Sequence, residues 1–242
     1  MSREGILGEG RRAEILPHPR GVLKLFRPGT PPGEAAREAE RHARALGLGA
    51  PAPRLHGVAE HDGRPGIIMD HAPGPLLADA LHADPTDGLA RLLRLHRAIH
   101  ALPGTGLPSL RSRFANALAA APLPPSRRAE LAALLAALPD GDRLCHGDFH
   151  PLNVLGPPGR ELAIDWADAA CGPPLADAAH SCALIAPHAP DLAARYLALY
   201  ADQSGASAAA ADAWRAIAAA ARLAQGHAGE SAALRPWAEG AP

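Results

Sequence analysis

Leu144-Cys-His-Gly-Asp-Phe-His-Pro-Leu-Asn-Val-Leu155, followed after a six-residue Gly/Pro turn by Leu162-Ala-Ile-Asp-Trp166, decides how the chain is read. Asp148 and Asn153 stand five apart, and Asp165 follows twelve later. Val154-Leu155 and Leu162-Ala163-Ile164 read as a small hairpin closed by Gly156-Pro157-Pro158-Gly159-Arg160, which carries Asp165 back beside Asn153. One carboxylate is then placed to accept a proton. A carboxamide and a second carboxylate offer the oxygen ligands that a hard cation prefers. Ordinary surface-turn chemistry is the plain alternative for an Asp-bearing loop. A metal-hydrolase ligand set from His146, Asp148 and His150 is another, but it leaves Asn153 and Asp165 without a role.

The pattern H-x-D-x-x-x-x-N, then an apolar strand ending in Asp, is that of phosphoryl transfer in protein-kinase-like enzymes. His146-Gly-Asp-Phe-His-Pro-Leu-Asn153 and Ile164-Asp-Trp166, with Gly172 and Asp177 farther on, resemble the aminoglycoside phosphotransferase and choline kinase superfamily. The resemblance runs along nearly the whole chain and is densest over 144–180. It implies an α+β, two-lobed protein-kinase-like fold, with a small antiparallel-sheet lobe over 1–73 and a helical lobe over 74–242. It also implies ATP and Mg²⁺ as cofactors. Asp148 would be the catalytic base, and Asn153 and Asp165 would hold the metal.

Composition narrows the rest. The formal net charge is −1, so no global field draws in nucleic acid or an anionic membrane. Cys145, Cys171 and Cys182 show no paired spacing and suit a reducing cytoplasm. No apolar run reaches membrane length. Of 24 Lys plus Arg residues, Lys24 is the only lysine. Its retention in an arginine-biased chain points to a compact point charge rather than a planar fork.

Taken in order, Ile6-Leu7 enters a turn at Gly8-Glu9-Gly10 and Ala13–Leu16 returns. Amides of Gly8 and Gly10 in such a turn can approach phosphates, and an ordinary hairpin fits the same residues. Gly21–Phe26 is a strand with Val22, Lys24 and Phe26 on one face and Leu23 and Leu25 on the other. Residues 33 to 46 form a helix whose inward stripe is Ala35, Ala39, His42 and Leu46. Glu38 lies at the edge of that stripe and Glu40 opposite, so Glu38 is the expected partner of Lys24. Strands at 54–60 and 66–69 flank a turn at His61-Asp62-Gly63. By resemblance the hinge follows, and backbone groups near Met69, Asp70 and Ala72 would read adenine.

Helices are then expected over 76–81, 86–102, 109–120, 126–138, 175–186, 190–203 and 207–225, with a Gly-broken end around Trp237. His96 and His100 are four apart, but Arg97 stands where a metalloprotease needs Glu, so packing is their expected role. Only about ten residues separate Asp165 from Asp177, too few for a protein kinase's activation segment. A small-molecule hydroxyl acceptor is therefore expected. Asp177, at a helix start, is expected to brace the catalytic loop, with His146 and His150. Eight acids against four arginines from Asp165 onward suggest a cationic acceptor, while a solvated helical surface explains the same charges. A catalytically silent nucleotide-binding scaffold is the rival class, and the retained Lys24, Asp148, Asn153 and Asp165 argue against it.

Overall fold

Alternation along Gly21–Phe26 puts a strand at the centre of a five-stranded antiparallel sheet. The strands are β1 Gly8–Glu9, β2 Ala13–His18, β3 Gly21–Phe26, β4 Leu55–His61 and β5 Arg64–Met69, in the order β1-β2-β3-β5-β4. The computed structural model describes residues 5–240. Val22 and Phe26 pack with Ala35, Ala39 and Ile67 on one face; Leu23, Leu25 and Ile68 cluster on the other. Each large apolar side chain so buried contributes about 1.5–3 kcal/mol. Lys24 shares the Val22/Phe26 face, opposite helix α1, Pro32–Gly47. Ala35, Glu38, Ala39, His42 and Ala45 are buried along α1, while Glu40 is exposed.

The glycine turn falls later than expected. Gly8 lies inside β1, paired with Ile15, and the chain reverses over Gly10-Arg11-Arg12, closed by the Gly10 amide on the Ala13 carbonyl. The alternation of the returning strand reaches back to Gly8, so ladder pairing claims it.

The remainder is helical: α2 Leu77–Ala83, α3 Pro85–His100, α4 Leu110–Ala120, α5 Pro125–Ala137, α6 Pro174–Ile185, α7 Pro190–Ser204, α8 Ala208–Leu223 and α9 Ser231–Glu239. Prolines in the first turn start α1, α3, α5, α6 and α7, where a missing N–H has no helical partner to lose. The end around Trp237 is a helix rather than an irregular tail. Leu234 and Ala238 bury against the main core, and Trp237 stacks under Arg215. The chain does break at Gly226 and Gly229, between α8 and α9, and tertiary burial lets a helix resume at Ser231 despite the internal Pro236. No described helix is long and apolar enough to cross a membrane.

Short strands β6 Arg143–Cys145 and β9 Ala170–Gly172 pair, as do β7 Val154–Leu155 and β8 Leu162–Ala163. The second pair is the hairpin expected between Asn153 and Asp165. A buried ion pair anchors it to α3: Arg91 Nε donates to Glu161 at 2.6 Å and Nη2 to the Gly156 carbonyl at 3.0 Å.

Candidate active site

β6 delivers His146 into the centre of the helical core, and the loop 146–153 turns there. The carboxylate of Asp177, in the first turn of α6, accepts the His146 amide at 2.7 Å and the Gly147 amide at 3.0 Å. It also accepts Nε2–H of His96 at 3.0 Å and of His100 at 3.1 Å. Nδ1 of each ring faces a tyrosine hydroxyl, Tyr196 for His96 and Tyr200 for His100. The two histidines thus do more than pack, since every ring nitrogen is hydrogen-bonded. Burial first, and repulsion from His100 second, push the His96 pKa down to about 3, so the ring is neutral. The Asp177 carboxyl is held well below its usual range. Burial opposes that, and the imidazole hydrogen bonds more than offset it.

His146 is fully buried and donates or accepts at both nitrogens, to the Ile164 carbonyl at 3.0 Å and from the Asp148 amide at 3.2 Å. It spans the loop and the strand that ends in Asp165. Gly147 has φ +80°, and a Cβ there would lie 2.2 Å from the Asp168 carbonyl, so only glycine fits. Asn153 closes the loop: its Nδ2 donates to the Asp148 carbonyl at 2.9 Å and to Asp148 Oδ2 at 3.0 Å. Both partners are acceptors, which fixes the amide's orientation and leaves its carbonyl oxygen free of hydrogen bonds among the described residues. His150 Nε2 stands 3.7 Å from Asp148 Oδ2. Burial pushes the Asp148 carboxyl up, but His150 first, with His146 and His180, outweighs it and the net shift is downward.

Asp165 ends the hairpin in a left-handed conformation, φ 63°, and opens a 3₁₀ turn through Asp168. The Trp166 indole N–H on the Ala163 carbonyl and Arg41 on the Ala167 carbonyl hold this turn against α1. Asp165 Oδ1 lies 3.0 Å from Lys24 Nζ, and Glu38 Oε1 lies 2.7 Å from the same nitrogen. Burial works against the ammonium, but the two carboxylates more than restore it, so Lys24 stays charged. The pairing of Lys24 with Glu38 is the one that the α1 stripe predicts.

These groups line a cavity of about 290 Å³ between the sheet and the helices, with Lys24, Glu38, Asp148 and Asp165 on its wall. Asn153 touches it only through Asp148. Gly8, Gly10, Met69, Asp70 and Ala72 do not line it. Met69 is buried in the β3–β5 pairing, and the Asp70 amide is taken by the Arg54 carbonyl, which leaves the Asp70 carbonyl unpaired among the described residues. Gly21 lets β3 press against this segment, since a Cβ there would meet the Met69 carbonyl at 2.4 Å. Arg113 of α4 and His180 of α6 also line the cavity, as do Arg11, Arg12 and Arg222. None of the five is marked in the sequence: Arg113, His180 and Arg222 stand on Ala-rich helices and Arg11 and Arg12 in a surface turn, and neither setting carries a local sign of tertiary neighbours. The acids of the last third form no wall: Asp165 and Asp168 line the cavity, Asp177 lies beneath it, and the other five stand elsewhere.

Residues 14–219 match the model of the APH phosphotransferase enzyme family. The chain belongs to that family. Among solved structures, this phosphotransferase is similar to the aminoglycoside phosphotransferase APH(4)-Ia, with a TM-score of 0.70 and 18% identity over 97% of this chain and 91% of that one. A ternary complex of a thermostable mutant of that enzyme with AMP-PNP and hygromycin B matches with a TM-score of 0.69 and 20% identity, over 97% and 91%. A choline/ethanolamine kinase family protein from Mesorhizobium loti matches at 0.60 and 17% identity, over 98% and 86%. At these identities the likeness shows the fold, which is the two-lobed, protein-kinase-like α+β arrangement. No curated protein matches the chain in sequence.

Proposed function

We propose that this phosphotransferase moves the γ-phosphoryl group of ATP to a hydroxyl of a small molecule. The carrying observation is Lys24, held between Glu38 and Asp165 on one wall of a cavity whose other wall presents Asp148. In this reading Lys24 grips nucleotide phosphates as a point charge steadied by Glu38, and the β1–β2 turn opened by Gly10, with Gly8 in the strand leading into it, lies over them. The segment Met69-Asp70-His71-Ala72 meets adenine through backbone groups. The division into lobes falls at 73/74, just after that segment. Asp148, ionised at neutral pH, orients the acceptor hydroxyl and takes its proton. Asn153 offers a free carboxamide oxygen and Asp165 a partly exposed carboxylate, a hard-oxygen donor set that fits Mg²⁺. When bound, Mg²⁺ neutralises phosphate charge. Most of the rate gain comes from positioning and from charge compensation. The relative's complex with AMP-PNP and hygromycin B supports a cleft that takes a nucleotide and a small molecule together.

The test is MgATP-dependent phosphate transfer to a pooled panel of aminoglycosides, macrolides, amino alcohols, sugars and hydroxy amino acids, with Asp148→Asn as control. A phosphorylated product absent from the control establishes the chemistry. MgATP binding without any product, across an extended panel, supports the silent scaffold instead.

A further inference from the structure

Three helices close the cavity on the side away from the sheet. α4 contributes Arg113, Phe114 and Ala117, α6 His180, and α8 Ala221 and Arg222. None of these is a carboxylate. The four acids on the wall, Glu38, Asp148, Asp165 and Asp168, come from α1 or from the segment 148–168, and all are engaged. Glu38 and Asp165 hold Lys24, Asp148 accepts Asn153, and Asp168 lies 3.5 Å from Arg113. An amine-bearing acceptor needs carboxylates to spare, and this wall has none.

The wall has surplus donors instead. Arg113 is wedged against Gly147, next to Asp148: a Cβ on that glycine would come 2.7 Å from its Nη1 and 2.8 Å from its Nη2. Nη1 donates to the Asp168 carbonyl at 2.6 Å, while Nη2 has no hydrogen-bond partner among the described residues. Among the described residues, three buried side-chain nitrogens lack a hydrogen bond, and two of them, Arg113 Nη2 and His180 Nδ1, belong to residues on this wall. Buried polar groups are ordinarily paired, and an orphan at a cavity wall is a place left for a ligand oxygen. Arg222 is already neutralised by Glu230 at 2.6 and 2.7 Å, and Arg113 shares its charge with Asp168 through Nη1, so the donor left over on the helical side is Arg113 Nη2. Across the cavity the Arg11 guanidinium meets the His227 imidazole, its one hydrogen-bond partner among the described residues, and adds positive potential.

We infer that the acceptor carries an anionic group of its own, a carboxylate or a phosphate, received by Arg113 beside Asp148. This rests on the phosphotransferase reading above. Loop residue Gly147 makes the room, and α4 supplies the guanidinium. The planar fork suits a two-oxygen anion, and the charge sets its orientation toward the base.

The test compares matched acceptors with MgATP: glucose, glucosamine, gluconate and glucose 6-phosphate, then glycerol, serinol, glycerate and glycerol 3-phosphate. Wild type, Arg113→Ala and Arg113→Lys are assayed, with melting curves to confirm folding. Expected is a kcat/KM higher for the anionic member of each set, falling about 10–100-fold in Arg113→Ala, the usual worth of a charged hydrogen bond, and partly kept in Arg113→Lys. Gluconate against glucose 6-phosphate separates carboxylate from phosphate. Preference for glucosamine or serinol, or an anion preference that Arg113→Ala leaves intact, overturns the inference while leaving phosphotransfer standing. If no compound is phosphorylated, calorimetric titration of gluconate, glucose 6-phosphate and inorganic phosphate into the protein saturated with MgAMP-PNP decides. Binding that weakens about tenfold in Arg113→Ala upholds the anion site and counts against phosphotransfer; no binding overturns the inference.

Discussion

Asp177 holds His146 by its backbone: the carboxylate accepts the His146 amide at 2.7 Å while two buried imidazoles donate to the same oxygen. The loop that bears Asp148 is therefore suspended from α6, and α6 is tied through His96 and His100 to tyrosines of α7. Removing the carboxylate leaves two amides and two ring N–H groups without an acceptor in a dry core. Asp177→Ala is expected to cost about 3–5 kcal/mol, as breaking a buried charged network does. At about 2–4 °C per kcal/mol for a chain this size, Tm falls by roughly 10 °C. A Tm within about 2 °C of wild type would show that the loop is held by other contacts.

Buried neutral histidines in and beside this network are expected to make the protein acid-labile. His96, at about 3, and His180, pushed to about 4 by burial and then by Arg113, bind protons in the unfolded chain before they do so in the fold. Their contribution is complete above the ordinary histidine pKa of about 6.5. It is lost as pH falls from there toward their folded values, because the unfolded state takes up the protons. Each adds a slope of about 1.4 kcal/mol per pH unit across that window. Denaturant unfolding followed from pH 8 to pH 4.5 should be flat at first and then decline steeply below about pH 6.5. A stability that rises on acidification would contradict the buried neutral rings.

Asp148→Asn should lose turnover by about 10²–10⁴-fold, the usual worth of a general base, with nucleotide affinity unchanged. The Asn153 amide loses its carboxylate acceptor but keeps the Asp148 carbonyl, so the loop stays in place. Steady-state kinetics with calorimetric nucleotide binding separate the two effects, and turnover equal to wild type removes Asp148 from this role.

Lys24→Arg is expected to raise KM for ATP and lower kcat despite the retained charge. Nζ sits 2.7 Å from Glu38 and 3.0 Å from Asp165, a spacing filled by one nitrogen and too narrow for a planar fork. Unchanged kinetics in ATP would show that charge alone matters there.

Gly147→Ala places a methyl group at φ +80° and 2.2 Å from a backbone carbonyl, and it also displaces Arg113. Activity should fall at least tenfold, with destabilisation of about 1–3 kcal/mol from the strained backbone. Wild-type activity in this variant would mean that the loop can shift without moving Asp148.

Much of this site was legible in one dimension. Asp148, Asn153 and Asp165 come close because a tight loop and a short hairpin join them, and turn chemistry and strand alternation are local. Lys24 and Glu38 were matched across 14 residues because strand and helix periodicities each name a face. The limits of α1 to α8 followed from prolines, caps and apolar spacing to within a few residues. Helix α9 escaped, since its cause is burial of Leu234 and Ala238 against distant helices, and the internal Pro236 points the other way. Gly8 was claimed by strand pairing for the same kind of reason.

Which charges line the helical side of the cavity could be read only from the folded molecule. Counting acids over the last third suggested a negative surface, but most of those acids stand away from the cavity, and the arginine beside Asp148 arrives from α4, 35 residues earlier in the chain. Sequence order determined the chemistry of the loop because its groups are neighbours along the backbone. Which charges face the cavity depends on how α4, α6 and α8 pack, and that packing is set by apolar contacts that carry no record of where the arginines point.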